Sequence, residues 1–504
     1  MHDGPPVLSS PDHALLERPP STRRARHAEA AAIDVATERG PATRSVIGVA
    51  HGTLRIVALA LLTLGLFGFD LGALTYESPD EARFPLMARD VLANGHWLIP
   101  EIAGTPKLNK PPLHAWLIAV ASWPGGAVTF RTAALPSVIG ALGVVLITTW
   151  IGLRLFGAPA GVTAGFLTAT AEGVFSLARS PIPDVTLTLA ITASMCALAL
   201  AEFEHRRHAL VALYGFAGLG FLSKGPAGLM PLAAALAYAV VAHGLKGPRR
   251  LVSLPGMTLL ALLIVPWLGL ALRAGGHRFV DDVLIKDLVM KYFGADGWHW
   301  QRLYEPVRQA LTLFLPWSVF VPLAVWTGAR EPDPERASRV RMILVWAATV
   351  FLLVAVSEVQ RARYYLPLCP PLALSVAAWH CGREHRRRAI VIARALAAIV
   401  LIALAGMEIH EVARRRSLTD VSAVAREIGA ASKANVFSLD SPDVVFAYYL
   451  NRSVIPLTFY WQFEKAPKGS YLIASERAAR QAPAKTRVAA ARVNGRAYVV
   501  IENR

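Results

Sequence analysis

From residue 54 onward the chain consists of long apolar runs separated by short polar joints. The runs fall at about 54–74, 131–153, 159–178, 185–201, 209–222, 227–243, 251–272, 306–327, 341–357, 364–380 and 389–408. About twenty apolar residues cross the hydrocarbon core of a bilayer as a helix, so the pattern predicts about eleven membrane spans. Residues 113–123 form a further apolar run that is too short to cross, which predicts an interfacial or re-entrant helix. After about residue 410 the pattern shifts to short alternating segments. Strands are expected at 436–439, 454–457, 471–474 and 497–501, with helices at 420–430 and 443–450. Residues 1–45, rich in Pro, Ala and Arg and without apolar period, read as a disordered cytoplasmic tail, too long and polar for a signal peptide. The predicted organisation is therefore a tail at 1–45, a membrane domain at 46–409 with a polar outer loop at 75–130, and a soluble α/β domain at 410–504.

The joints set the orientation. Crossing once at each run from a cytoplasmic start puts Arg154, the Glu204-His205-Arg206-Arg207 group, 246–250, 330–341 and 383–388 on one face. All are basic, as cytoplasmic loops are. A crossing at 113–123 inverts every later loop and turns these arginines outward. The same parity puts Asp80, Lys110, Asp184, Lys224, the 273–305 loop, Arg361, Arg363 and Tyr364 together on the other face. Arginines elsewhere fixed the parity, so this grouping is an independent sign of one outward-facing site.

Composition narrows the partners. The 504 residues are 54% hydrophobic, with mean hydropathy +0.42 and formal net charge +17. The basic residues lie between apolar runs rather than on one soluble domain, which points to lipid headgroups and phosphates and away from nucleic acid. Cys196, Cys369 and Cys381 make neither a disulfide framework nor a CxxC metal motif.

The most polar part of the N-terminal half is residues 76–116. Ser78-Pro79-Asp80-Glu81 starts a helix: Ser as N-cap, Pro in the first turn, and Glu three residues after the cap. Capping accounts for Glu81 and leaves the Asp80 carboxylate pointing away. Lys107 and Lys110 precede Pro111-Pro112, which holds an extended backbone beside two ammonium groups. A carboxylate at one end and a rigid lysine at the other can hold an anionic substrate; a capped amphipathic surface helix is the alternative. Asp184 follows Pro183 before an apolar run, where a helix dipole also favours it. Lys224 precedes Gly225-Pro226, which breaks a helix beside its ammonium, although an interfacial anchor has the same look. Arg361, Arg363 and Tyr364 open a late run, as an interfacial belt does. His299 is either a metal ligand or a locally bonded histidine, and Trp298 and Trp300 suit a belt.

Asp80-Glu81 just after the first apolar run, followed by Lys110-Pro111-Pro112-Leu113, resembles the polyprenyl-phosphate-dependent glycosyltransferases of GT-C fold, in particular the lipid A aminoarabinose transferases and the protein O-mannosyltransferases. The resemblance covers roughly residues 54–374. It implies a polytopic α-helical membrane protein of about 11–13 transmembrane helices with a small C-terminal periplasmic α/β domain. It further implies Asp80 and Asp184 as catalytic residues, Arg83, Lys110 and Lys224 around the donor phosphate, and Glu81, Tyr364 and His299 in the pocket. The implied partners are a polyprenyl-phosphate sugar donor, membrane lipids, and a lipid, glycan or protein acceptor, as in lipid A modification. The implied place is a bacterial inner membrane. The aminoarabinose transferases carry Glu where this chain has Asn109, and Tyr where it has Phe84. The first change weakens any divalent-metal site, so no cofactor is certain and a divalent metal stays as the open alternative. An outward site also excludes nucleotide sugars. A transporter or flippase of a lipid-linked sugar is the alternative from another class, although no inverted repeat is evident.

Overall fold

The computed structural model describes residues 41–281, 285, 301–357, 359–382, 387–430, 434–480 and 486–503. His299, Trp298 and Trp300 lie outside the described residues. Helix is already present from Pro41, inside the segment expected to be a tail, and continues to Gly68.

Among the described residues, seven helical stretches are long and apolar enough to cross a membrane: Thr53–Ala73, Phe130–Phe156, Asp184–Phe203, Ala209–Leu251, Leu254–Gly275, Pro334–Ala355 and Ala395–Leu418. The protein is thus a multi-pass, mostly α-helical membrane protein with a small C-terminal β-sheet domain. The Ala209–Leu251 stretch holds two of the predicted runs. A Cβ placed on Gly220 meets the Gly228 Cα at 3.0 Å. Eight residues of straight helix rise about 12 Å, so the chain turns back there. The two arms are Ala209–Lys224 and Met230–His243, joined by a 3₁₀ turn at Gly225–Leu229. Gly225 takes φ 67°, open to glycine at no steric cost.

Three other runs fold as shorter pieces. The run at 306–327 becomes Tyr304–Leu313 and Trp317–Gly328, bent by 115°; Pro316 between them has no N–H to continue the ladder. The run at 159–178 divides into Ala158–Ala169 and Glu172–Leu177. Between them the Thr170 hydroxyl donates to the Phe166 carbonyl and accepts from the Trp317 indole N–H at 2.9 Å. The run at 364–380 enters as a 3₁₀ turn, Ala362–Leu368, before the helix Cys369–Cys381. Residues 113–123 form a ten-residue helix, Leu113–Ser122.

Asp184–Phe203 is the central helix, with 78% of its apolar window buried against its neighbours. Leu254–Gly275 is peripheral, 17% buried, and turns Leu262 and Val265 outward. An apolar helix with leucines and valines facing out is suited to lipid rather than water.

Val436–Leu439, Ile455–Leu457, Ser470–Ser475, Arg487–Val493 and Arg496–Asn503 form one five-stranded sheet. Val436–Leu439 pairs in parallel with both Ile455–Leu457 and Ser470–Ser475. Arg496–Asn503 runs antiparallel between Ser470–Ser475 and Arg487–Val493. Leu472, Ile473, Val500 and Phe446 are fully buried in its core. The Arg487–Val493 strand was not expected, because its alanines and arginines carry little strand signal. The helix Asp443–Leu450 packs on Pro79–Asn94: the Tyr449 hydroxyl accepts from the Tyr76 backbone N–H at 2.9 Å, and Arg89 donates to the Tyr448 carbonyl at 3.1 Å. The C-terminal β-sheet domain therefore rests on the helix that carries Asp80.

Candidate active site

Pro79–Asn94 begins as its sequence dictates. Ser78 is the N-cap, extended at φ −131°, and its hydroxyl accepts from the Glu81 N–H at 3.3 Å. The reciprocal half of the capping box is displaced by one residue. The Glu81 carboxylate accepts from the Glu77 N–H at 3.0 Å rather than from Ser78. Its other oxygen faces Arg415 of the Arg387–Leu418 helix at 3.3 Å. Glu81 is buried there and is not among the residues that line the cavity described below. Arg414 completes the cluster by donating to Glu77 at 2.8 Å. The reason is geometric: consecutive residues on a helix point about 100° apart, so Asp80 and Glu81 serve different faces.

Asp80 faces a cavity of about 560 Å³. One carboxylate oxygen accepts from Arg83 at 2.7 Å; the other accepts from Arg363 at 2.7 Å and Arg361 at 3.0 Å. Burial raises the carboxyl pKa, but the hydrogen bond and charge of Arg363, with Arg83 and Arg361, outweigh it and hold the group at about 2. Asp80 is a fixed anion.

Asp184 stands in the first turn of Asp184–Phe203, where the helix dipole favours a carboxylate. Lys224 ends Ala209–Lys224, where the dipole favours a cation, and its ammonium bonds Asp184. The same ammonium lies 4.4 Å from the Tyr364 ring centroid, a cation–π contact. Burial works against the Arg363 charge; Asp184 and Asp80 together outweigh it. Lys110 reaches the cavity from a turn, its N–H donating to the Lys107 carbonyl at 3.3 Å, after a two-residue hairpin turn, Ala103-Gly104, with φ 55° and 71°. Pro112 is helical, at φ −88° and ψ −10°, so the backbone is not extended as its proline pair suggested. The hairpin is tied to the Asp80 helix by Asp90, which accepts from the Glu101 N–H at 2.7 Å.

Asp80, Arg83, Lys110, Asp184, Lys224 and Tyr364 thus line one cavity. They come from five separated segments of the chain. Arg361 and Arg363, read from sequence as belt residues, are the partners of Asp80. The available signal was their place beside Tyr364 on the face already grouped by parity. The lining also holds an apolar cluster: Phe221, Trp267, Leu268 and Phe279. The first three sit in ordinary apolar runs and carried no signal; Phe279 belongs to the 273–305 loop already grouped on this face.

Metal binding fits this donor set poorly. Both carboxylates are engaged by arginine or lysine, and Asn109 is a neutral lining residue. Among the described residues no group of three or more His, Cys, Asp or Glu is placed to hold a metal ion.

Residues 109–269 match the family model for dolichyl-phosphate-mannose-protein mannosyltransferase. The chain is 26% identical over 343 residues to the undecaprenyl phosphate-alpha-4-amino-4-deoxy-L-arabinose arabinosyl transferase of Pectobacterium carotovorum, covering 66% of this chain and 59% of that protein. It is 30% identical over 351 residues to the corresponding transferase 1 of Sodalis glossinidius, covering 65% and 60%. The chain thus spans about six tenths of the length of these curated relatives. In fold it is similar to ArnT from Cupriavidus metallidurans bound to undecaprenyl phosphate, with TM-score 0.73, 19% identity, and coverage of 88% of this chain and 97% of that one. The archaeal oligosaccharyltransferase AglB from Archaeoglobus fulgidus is similar at TM-score 0.56 and 15% identity, with coverage of 84% and 69%. The fold is that of a polytopic membrane protein similar to these solved structures, and in sequence the chain is similar to the aminoarabinose transferases and, over 109–269, to the protein mannosyltransferase model.

Proposed function

We propose that the protein is a membrane glycosyltransferase that moves a sugar from a polyprenyl-phosphate donor to a lipid, glycan or protein acceptor. The observation that carries this reading is the make-up of the cavity. Its lining combines the cations Arg83, Lys110, Lys224, Arg361 and Arg363 with an apolar cluster of Phe221, Trp267, Leu268 and Phe279. A phosphate with a long hydrocarbon tail asks for both. Relatedness to transferases named for undecaprenyl-phosphate-linked sugars supports the choice.

In this reading the acceptor oxygen attacks the anomeric carbon as the bond from that carbon to the phosphate oxygen breaks. The polyprenyl phosphate leaves as an anion, and the cations stabilise the charge that develops on it. Lys110 and Lys224 supply ammonium point charges, and the arginines supply paired N–H donors. Single displacement inverts the anomeric carbon. Asp80 is too weak a base to take a proton from a hydroxyl at neutral pH while its arginines hold it. It acts as the anion that orients Arg83, Arg361 and Arg363 on the phosphate. Asp184 does the same for Lys224. A hydroxyl acceptor passes its proton to the departing phosphate, which gains a second negative charge as the bond breaks; an acceptor phosphate, already ionised, needs orientation alone.

The reaction belongs to a membrane domain at 46–409, with the 75–130 loop contributing Asp80 and Lys110. The site and a soluble domain at 410–504 face the periplasm of a bacterial inner membrane. The parity of the basic loops supports this orientation, and lipid-linked donors are the form of activated sugar suited to that side. The test uses purified protein in detergent, a polyprenyl-phosphate sugar carrying a labelled sugar, and an envelope lipid extract. Label moving to a new lipid or glycan supports transfer. If the labelled donor crosses the membrane of reconstituted vesicles without transfer, the protein is a flippase.

A further inference from the structure

A second cavity, of about 240 Å³, lies at the other end of the same helices. Asp184–Phe203 carries Asp184 at its start and Glu202 near its end, and its twenty residues rise about 30 Å, a full bilayer core. The second cavity is therefore on the opposite membrane face. It is bounded by Asp184–Phe203, the start of Ala209–Lys224, the end of Met230–His243 and the turn Gly244–Leu251.

Its polar lining is rich in donors and poor in acceptors. Arg207, Arg250, His205 and His243 line it, and Glu202 is the sole carboxylate among the described residues that do. One Glu202 oxygen is shared by His243 at 2.7 Å and Arg250 at 3.5 Å. Arg250 is also 2.7 Å from the same His243 Nε2, so Glu202, His243 and Arg250 meet at one point. Arg207 donates to the Arg250 carbonyl at 3.0 Å. The nearby Glu204 is taken by Arg154 at 2.8 Å and Arg206 at 3.0 Å. The remaining lining is Tyr238 and the apolar Leu198, Ala201, Leu210, Ala239 and Leu251. Exposed Leu245, Val252 and Leu254 continue that apolar surface beside the cavity.

We propose that this cavity binds a phosphate group, and that the phosphate is the headgroup of an anionic membrane lipid. A phosphate supplies charged acceptors for the guanidinium N–H groups of Arg207 and Arg250 beyond the Arg250 carbonyl and the one Glu202 oxygen they already meet, and acyl chains have apolar surface to lie against. Basic pockets at the cytoplasmic ends of membrane helices suit such headgroups. The cytoplasmic assignment rests on the orientation in the proposed function; the opposite-face placement does not.

The test uses the full chain with Arg207→Gln, Arg250→Gln and the double variant. Native mass spectrometry counts bound lipid after incubation with cardiolipin, phosphatidylglycerol or phosphatidylethanolamine. Thermal unfolding in inorganic phosphate against chloride at equal ionic strength reads the soluble anion. The expected result is retained cardiolipin or phosphatidylglycerol on the native chain, with occupancy lower by about fivefold per arginine removed and phosphatidylethanolamine unaffected. Stabilisation by inorganic phosphate alone, lost in the double variant, keeps the phosphate site and assigns it to a soluble ester. Equal lipid retention in native and double-variant protein, with no response to phosphate, overturns the proposal. These readouts do not depend on sugar transfer, so failure of the glycosyltransferase reading leaves a distinct result.

Discussion

Replacing Asp80 by Asn removes one negative charge and leaves a side chain of nearly the same shape facing Arg83, Arg361 and Arg363. The carboxyl is held at about 2 against an ordinary 3.8. A shift of that size corresponds to about 2.4 kcal/mol at about 1.36 kcal/mol per unit. The side chain is 28% exposed at the cavity mouth, so screening brings the value to about 1–2 kcal/mol. Because the folded pKa is depressed, this stabilisation is fully present above about pH 4 and is lost as pH falls toward 2. At neutral pH the variant therefore loses all of it, and folding survives. Activity suffers more. Three guanidinium groups without their shared anion repel one another and move, and misplacement of binding groups by about 1 Å costs about 10²-fold in rate. The assay is sugar transfer from one polyprenyl-phosphate donor by purified native and variant protein, with unfolding followed in parallel. The native enzyme should show no loss of kcat/KM attributable to Asp80 between pH 5 and 8, since the group stays ionised throughout. Asp80→Asn should transfer about 10²-fold more slowly or worse while unfolding only slightly earlier. Transfer within about threefold of native, with unchanged donor affinity, refutes the orienting role. A native pH profile that rises with a pKa near 6 assigns the limiting titration to another group.

Lys110→Ala should weaken donor binding by about 1–3 kcal/mol, read as donor Kd, and Lys110→Arg should recover it only in part, because a planar fork does not fill an ammonium site. Glu81→Gln should behave unlike Asp80→Asn: it leaves Arg415 facing a neutral amide in a buried cluster, so stability should fall by about 1–3 kcal/mol while transfer per folded molecule stays near native. A Glu81→Gln protein that is stable but inactive reverses these roles. Cysteines placed beside Asp80, beside Lys224 and in the soluble domain should all label with an impermeant reagent in intact spheroplasts; labelling at 246–250 instead contradicts the orientation.

Apolar periodicity and loop charge carried the membrane class and the grouping of Asp80, Lys110, Asp184, Lys224 and Tyr364 on one face. Both signals are local in the chain: run length fixes what crosses a bilayer, and arginine position fixes which side each joint takes. Run length misjudged the pieces. The turn at Gly225–Leu229, the bend at Pro316 and the 3₁₀ entry at Ala362–Leu368 shorten apolar runs without changing their hydropathy. The Ser78 cap was legible because it uses neighbours three residues apart. The partner of the Glu81 carboxylate was not, because Arg415 is 334 residues away in sequence. The same holds for Arg361 and Arg363 on Asp80, and for the Tyr449 contact that seats the C-terminal β-sheet domain on the Asp80 helix. The sequence by itself determined the multi-pass helical class and gathered the polar residues that the fold brings to one cavity. Tertiary packing alone decided which charge meets which, since an ion pair requires distances of a few ångströms that only the folded arrangement of distant helices supplies.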